Sequence, residues 1–161
     1  MAIYRKSMLF LATVMKWERR KGDKRVQNET TGTQYLLNTN RLDGMRVMTS
    51  TAYTSLYYFD NPFNHRENSA YMEVYLTVAQ LKTQCDTTPT NVYMTLPIYP
   101  SMNTAKTTVN TTINIGSFAF AVAVADSGST TDSLVYYTDG AFKLVKCRVA
   151  LTLAQLLALI A

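Results

Sequence analysis

The chain has 161 residues, of which 47% are hydrophobic and 17% charged, so it can form one domain with a sizeable core. Its richness in Thr and its 11 Tyr residues favour pleated, half-buried surfaces and argue against an all-helical fold. The net charge of +5 is local, because residues 1–25 hold eight basic and two acidic residues and the rest of the chain nets −1. A nearly neutral body with one basic segment indicates a particular acidic contact rather than a surface that coats nucleic acid.

The N-terminal apolar run Met8–Met15 follows Arg5 and Lys6, as in a signal peptide. It leads into Lys-Trp-Glu-Arg-Arg rather than a small-residue cleavage site, and it is too short to span a bilayer. Cys85 and Cys147 are too few for a disulfide scaffold and lack metal-ligand spacing, so we expect free, mostly buried thiols. These features predict a protein that is made and kept in a cytoplasm, with no membrane contact.

The first predicted strand is Met8–Trp17, which is apolar on both faces, as an interior strand would be. Glu18–Arg25 contains Gly22-Asp23 and reads as an exposed turn, after which Val26–Asn28 returns beside the first strand as a long hairpin. Charge runs of this kind are most often solvated tips. The functional alternative is a basic protrusion at about 16–28 that touches an acidic neighbour or nucleic acid. Its candidate partner-binding residues are Lys16, Arg19, Arg20, Lys21, Lys24 and Arg25.

Two Asp-Gly pairs, at 43–44 and 139–140, supply the positive φ angles that tight hairpins use. They predict two hairpins, whose flanking strands are Tyr35–Leu37, Met45–Phe59, Leu134–Tyr137 and Phe142–Val149.

Three further strands are predicted in the second half of the chain. Asn91–Ile98 contains Pro97, which has no N–H for a ladder and so indicates an edge position or a strand end. Thr107–Ile115 alternates in the way of a strand with one wet face. Ser117–Ala125 alternates bulky residues with alanine, which predicts a central strand with Phe118, Phe120, Val122 and Val124 facing a core and the alanines facing a close neighbour.

Two nearly identical segments, Leu76–Leu81 and Leu151–Leu156, each contain Thr-x-x-Gln, a capping box that starts a helix. The last helix, Leu153–Ala161, is apolar all round apart from Gln155, so it must be covered on all sides. Two alternatives stay open. The helix either docks on a partner or plugs the open end of a barrel formed by the chain itself. In the first case its partner-binding residues are Leu153, Leu156, Leu157 and Ile160.

The sequence contains few candidate residues for catalysis or metal binding. The single histidine, His65, lies in the predicted loop Asp60–Ser69, so a catalytic triad or a metal site has no second histidine to draw on. The nearest carboxylate candidates for a glycosidase pair are Glu67 with Glu73 or Asp60, and sequence nearness says nothing of their geometry. We predict no metal and no cofactor, and we place a small hydrolase third among the possible functions.

Taken together, the alanine row, the apolar C-terminus, the Thr-rich loops and the many tyrosines resemble small β-rich bacteriophage virion proteins of the capsid-decoration or head–tail type. The resemblance is one of composition and pattern, and it transfers no functional residue. It implies a structural protein of the virion, assembled in the host cytoplasm, that self-associates or docks on a larger protein shell.

The fold predicted from the residues is a single, mainly β domain over 1–161. It is an antiparallel sandwich or barrel with one or two short capping helices, including one at the C-terminus. The alternative function is a nucleic-acid-binding β-barrel that uses the basic hairpin.

Overall fold

A computed structural model describes residues 6–21, 24–28, 32–47, 54–59, 69–100, 107–124, 131–141 and 143–161. Within these ranges the chain forms one sheet with two short helices, α1 Val78–Asp86 and α2 Leu153–Ala158. The strands are β1 Leu9–Lys21, β2 Lys24–Asn28, β3 Thr33–Asn38, β4 Leu42–Val47, β5 Thr54–Phe59, β6 Ser69–Val74, β7 Tyr93–Ile98, β8 Val109–Asn114, β9 Phe118–Ala123, β10 Ser133–Thr138 and β11 Leu144–Val149.

The strands follow one another in the sheet in the order β4-β5-β6-β1-β3-β9-β10-β11-β7-β8, and β2 pairs with the distal part of β1. Every pairing is antiparallel. The terminal strands β4 and β8 do not pair with each other in the described residues, so the sheet is open and not a closed barrel. The predicted mainly β, antiparallel fold with short helices, one of them near the C-terminus, is confirmed.

Two hydrophobic cores lie on opposite faces of this sheet. Along β1, Phe10 and Ala12 enter one core while Leu9 enters the other, as expected where successive side chains alternate between faces. The first core consists of Phe10, Ala12, Val14, Trp17, Tyr35, Leu37, Leu42, Tyr58, Met72, Val74, Leu81, Ala119 and Phe120. The second core consists of Leu9, Leu36, Met94, Leu96, Ile113, Ile115, Phe118, Ala121, Val135, Cys147, Val149, Leu153, Leu156 and Ile160. The prediction of an interior first strand is therefore confirmed.

Strand β9 is central, as predicted, but its faces differ from the prediction. Its pairing with β10 matches Tyr136 to Phe120 and Tyr137 to Phe118, so Ala119 is an extra residue that forms a β-bulge. The bulge turns Phe118 into the second core, while Phe120 and Ala119 join the first. Ala119 and Ala121 are both fully buried. The predicted alanine face for a neighbouring molecule is therefore wrong over the buried part of the strand.

The two Asp-Gly predictions had different outcomes. Gly44 lies inside β4, next to a bulge between Leu42 and Gly44 in the β4–β5 register, so it does not join the two strands predicted around it. Strand β4 instead pairs with β5, which divides the predicted strand Met45–Phe59 into two.

The second hairpin, between β10 and β11, is confirmed, but Gly140 does not adopt the positive φ on which the prediction rested. Its turn depends on the Asp139 carboxylate, which accepts the amides of Ala141 at 2.9 Å and Lys143 at 3.0 Å. This is an Asx-type turn, in which the side chain replaces the backbone acceptor. Predictions for the turn at Gly22-Asp23 and for the loop residues 60–68, with His65, fall outside the described residues.

Both capping boxes are confirmed. The Thr77 hydroxyl accepts the Gln80 amide at 3.1 Å, and the Thr152 hydroxyl accepts the Gln155 amide at 3.2 Å. Each Gln side chain accepts the amide of its own cap residue at 2.9 Å. Helix α1 packs Leu81 into the first core and α2 packs its leucines into the second, so the two helices cover opposite faces of the sheet.

A buried polar node at the end of β3 joins the two ends of the sheet to its centre. The Asn38 amide group donates to the carbonyls of Ile115 at 2.7 Å and Phe118 at 2.8 Å. The Asn38 backbone N–H donates to the Tyr58 hydroxyl at 2.7 Å, and that hydroxyl donates to the Ala119 carbonyl. Tyr58 lies on β5, so the β4–β5–β6 end of the sheet curls back over β9 around the first core.

We expect Thr152→Ala to lower the free energy of unfolding by about 0.5–2 kcal/mol, because it removes the cap acceptor of α2. Thr88→Ala is the matched control, because Thr88 is exposed in a loop, and it should change stability by less than about 0.5 kcal/mol. Urea denaturation followed by the fluorescence of the single tryptophan, Trp17, measures both. If the two variants have the same urea denaturation midpoint, the capping box does not contribute to the stability of α2.

We expect Asn38→Ala to cost at least about 2 kcal/mol, since each buried carbonyl that loses its donor costs about 1–3 kcal/mol. Asn91→Ala removes a comparable but exposed bond, from the Asn91 side chain to the Leu159 carbonyl at 3.0 Å, and should cost less than about 1 kcal/mol. The same denaturation assay compares them. A smaller loss for Asn38→Ala than for Asn91→Ala would contradict the structural importance of the node.

Candidate partner-binding surfaces

The end of β1 and strand β2 form a projecting element, which we call the basic hairpin (Trp17–Lys21 with Lys24–Asn28). Along one edge β1 pairs with β3 over Leu9–Val14 and then with β2 over Trp17–Lys21. Along the other edge its pairing with β6 ends at Arg19. Among the described residues, the last two of β1 therefore pair only with β2, and the hairpin extends beyond the described part of β6. The predicted long hairpin is confirmed.

The register of the basic hairpin places like charges opposite each other. Arg20 pairs with Arg25, and Lys21 pairs with Lys24. Like charges directly opposite in an antiparallel ladder are destabilising, whereas opposite charges contribute roughly 0.2–1 kcal/mol. A negatively charged group bound at this tip would offset the like charges that the register sets opposite each other.

Lys16 differs from the other five basic residues that the sequence grouped with it. It pairs with Glu73 of β6, so it has an acidic residue across the ladder, and its side chain is half-buried. The other five residues of the predicted cluster lie farther out, on the paired strands of the basic hairpin. The structure brings Arg19, Arg20, Lys21, Lys24 and Arg25 together on two paired strands.

The base of the basic hairpin is fixed in the first core by Trp17. This side chain is only 6% exposed. Its ring meets those of Tyr35 and Phe120 edge to face, with centroids 5.1 and 4.9 Å apart, and Phe120 stacks on Tyr136 at 4.2 Å. These aromatic pairs stabilise the point where the hairpin leaves the sheet. Because Trp17 is buried, it offers no exposed ring on which a nucleic-acid base could stack.

The C-terminal helix lies within the chain's own core. Of the four residues predicted to bind a partner, Leu153, Leu156 and Ile160 are buried in the second core, and Leu157 is half-buried against it. The Ile160 carbonyl also accepts the amide of Thr90 at 2.9 Å, which ties the end of the chain to the loop before β7. The chain therefore supplies the cover of the helix itself, and the prediction that a partner covers it is corrected. The other alternative is met only in part, because the helix packs on one face of an open sheet and does not plug a closed barrel.

The two cysteines and the Asp132 carboxylate lie in buried or part-buried surroundings. Burial raises the pKa of the Cys147 thiol to about 11, and burial together with Asp86 raises that of Cys85. Both thiols are free, as expected. The Asp132 carboxylate forms a buried ion pair with Arg148, whose Nη2 and Nε both lie 2.9 Å from Oδ2. No group of three potential metal ligands occurs among the described residues, and His65, Asp60 and Glu67 lie outside them.

A surface that the sequence analysis missed lies at the other end of the sheet. Here Val92, Tyr93 and Val109 are exposed by 51%, 61% and 61%, and β8 is the terminal strand of the sheet. The signal was present in the sequence, since Thr107–Ile115 contains no charged residue and no proline. The sequence predicts only a strand with one wet face there, because it does not reveal which strand lies at an edge of the sheet.

The described part of the chain contains no helix long and apolar enough to cross a membrane. Comparison with protein-family models, with curated proteins and with solved structures found no match for this chain.

Proposed function

We propose that this is a non-enzymatic structural protein that docks on an acidic surface of a larger protein shell through the basic hairpin and also self-associates. The observation that carries the docking proposal is the register that sets Arg20 opposite Arg25 and Lys21 opposite Lys24, on an element that extends past the described part of β6. Charges in such an arrangement reduce the stability of the isolated hairpin. An acidic partner would compensate them, and the rest of the chain, which is nearly neutral, adds little general attraction for anions.

The architecture supports this proposal. The hairpin emerges from a strand that pairs on both edges, and Trp17 packs its base into the first core. A partner would therefore meet a pre-formed element and would pay little to order it. With the resemblance to phage virion proteins, we propose a virion component that is assembled in the host cytoplasm.

Nucleic acid is the second candidate for the same hairpin. It is favoured by the net charge of +4 over residues 19–25, because phosphate contacts depend mainly on charge. The burial of Trp17 speaks against a base-stacking mode, so backbone phosphates would have to supply the whole affinity.

The docking proposal predicts that Arg20→Glu with Lys21→Glu abolishes binding to an acidic polypeptide without harming the fold. The introduced glutamates stand opposite Arg25 and Lys24, so each ladder pair becomes attractive and the unfolding midpoint should stay the same or rise. The matched control is Lys143→Glu with Lys146→Glu, which changes the net charge equally at two exposed lysines of the β10–β11 hairpin. Fluorescence anisotropy with labelled polyglutamate measures binding.

We expect the wild type and the control variant to bind polyglutamate and the Arg20→Glu, Lys21→Glu variant not to bind it. Equal binding by both variants would overturn the assignment of the hairpin. The same titration with single-stranded oligothymidine tests the second candidate. Tighter binding than to polyglutamate, with a slope of about −3 in log K against log salt for about four phosphate contacts, would favour nucleic acid.

A further inference from the structure

The outer edge of β8 has backbone groups that point away from the sheet. The Ile115 amide donates to the Val92 carbonyl at 2.9 Å, and the β7–β8 register continues from Tyr93–Asn114 to Ile98–Val109. In an antiparallel ladder every second residue bonds to the neighbouring strand. The groups of residues 109, 111 and 113 therefore face β7, and those of Asn110 and Thr112 face outwards. No described strand pairs with this edge.

The free edges of β4 and β2 carry features that discourage pairing with another chain. Strand β4 contains Asp43 and Arg46 and has a bulge next to Gly44, and β2 contains Lys24 and Arg25. Charges and bulges of this kind are the usual protection of edge strands. Strand β8 has neither, and it pairs with β7 over six residues without a register shift. Of the edges of β2, β4 and β8, that of β8 is thus the one suited to accept a further strand.

We infer that β8 is a homodimer interface, in which it pairs antiparallel with β8 of a second copy about a twofold axis at Thr111. The inference names the partner in the self-association proposed above and rests on that part of the proposed function. It is independent of the basic hairpin, so the two can fail separately.

The residue pattern of β8 matches itself in this register. Opposite residues in an antiparallel pair lie on the same face. A twofold axis at Thr111 therefore places Val109 opposite Ile113 of the second copy on the core face, and Asn110 opposite Thr112 on the wet face. Val109 is 61% exposed and Ile113 only 8%, so the second copy would cover an apolar side chain that this chain leaves open.

The neighbouring register is less suitable. An axis at Thr112 would set Thr111 opposite Ile113 and would leave Val109 opposite residue 115, which belongs to the turn Ile115–Ser117. An axis at Thr112 would also pair outward backbone groups, Thr112 with Thr112 and Asn110 with Asn114 of the second copy. The axis at Thr111 is therefore favoured by the side-chain pattern and not by the backbone hydrogen bonds. A second copy of β8 is thus an uncharged partner strand. Its apolar residues lie opposite apolar residues of the first copy, and its polar residues lie opposite polar ones.

The test uses two variants of the full chain that differ only in the sign of one charge. Asn110→Lys with Thr112→Lys places lysine opposite lysine across the dimer in the proposed register. Asn110→Lys with Thr112→Glu places lysine opposite glutamate there, and glutamate opposite glutamate if the axis lies at Thr112. Both variants lose the Thr95–Thr112 hydroxyl contact of 2.9 Å, so this loss cancels in the comparison. Sedimentation equilibrium over a range of concentrations measures the dimer.

We expect a dimeric wild type, a dimer dissociation constant raised at least about tenfold in the lysine–lysine variant, and dimerisation restored in the lysine–glutamate variant. Hydrogen exchange on the wild type gives a second measurement, in which dilution should expose the amides of Asn110 and Thr112 and leave that of Ile113 protected. A monomeric wild type would overturn the inference, as would open-ended assemblies or equal dimerisation of the two variants. The Arg20→Glu, Lys21→Glu variant should remain dimeric. If this variant still dimerises but no longer binds polyglutamate, the basic hairpin and the edge of β8 act separately.

Discussion

The buried amide of Asn38 is the constraint on which the rest of the structure depends. Its donors hold the corner between β8 and β9 through the carbonyls of Ile115 and Phe118, and its backbone meets Tyr58 of β5. The two cores lie on opposite faces of one sheet, so no apolar contact crosses from one to the other through the strands themselves. The node fixes how far each end of the sheet curls, because buried polar groups must find partners at defined distances and angles. Hydrophobic contacts alone would tolerate a range of curvatures.

The sequence predicted those features that depend on a few neighbouring residues. The capping boxes at Thr77 and Thr152 formed because a hydroxyl and an amide three residues apart satisfy the first turn of a helix in any surroundings. The sequence predicted the basic hairpin from its charged segment, but it placed the whole of Glu18–Arg25 in the turn, whereas Glu18–Lys21 and Lys24–Arg25 belong to the paired strands. What depends on a partner strand was not predictable. The bulge at Ala119 exists only in the register with β10, and the sequence of β9 alone predicts regular alternation.

The same distinction applies to the candidate surfaces. Charge is visible in a sequence, so the basic residues were found, although their division between Lys16 and the distal tip required the pairing with Glu73. Burial is not visible in a sequence. Segments that are distant along the chain decide whether an apolar helix is exposed or covered. Leu153 and Ile160 entered the second core with strands β7 and β8, and the helix that had seemed to need a partner already had one. The uncovered edge of β8 was missed for the same reason.

The shared pairing of β1 determines how a load on the basic hairpin would reach the rest of the molecule. A pull on the tip acts along the axis of β1, and the ladders with β3 and β6 run parallel to that axis on its two edges. The hydrogen bonds across the strand are then strained together in shear instead of opening one after another from an end, and Trp17 resists sliding because its ring is enclosed by Tyr35 and Phe120. A contact made at the hairpin is therefore anchored mechanically in the centre of the sheet, so tension between neighbouring molecules would be carried by the most highly paired strand of the fold.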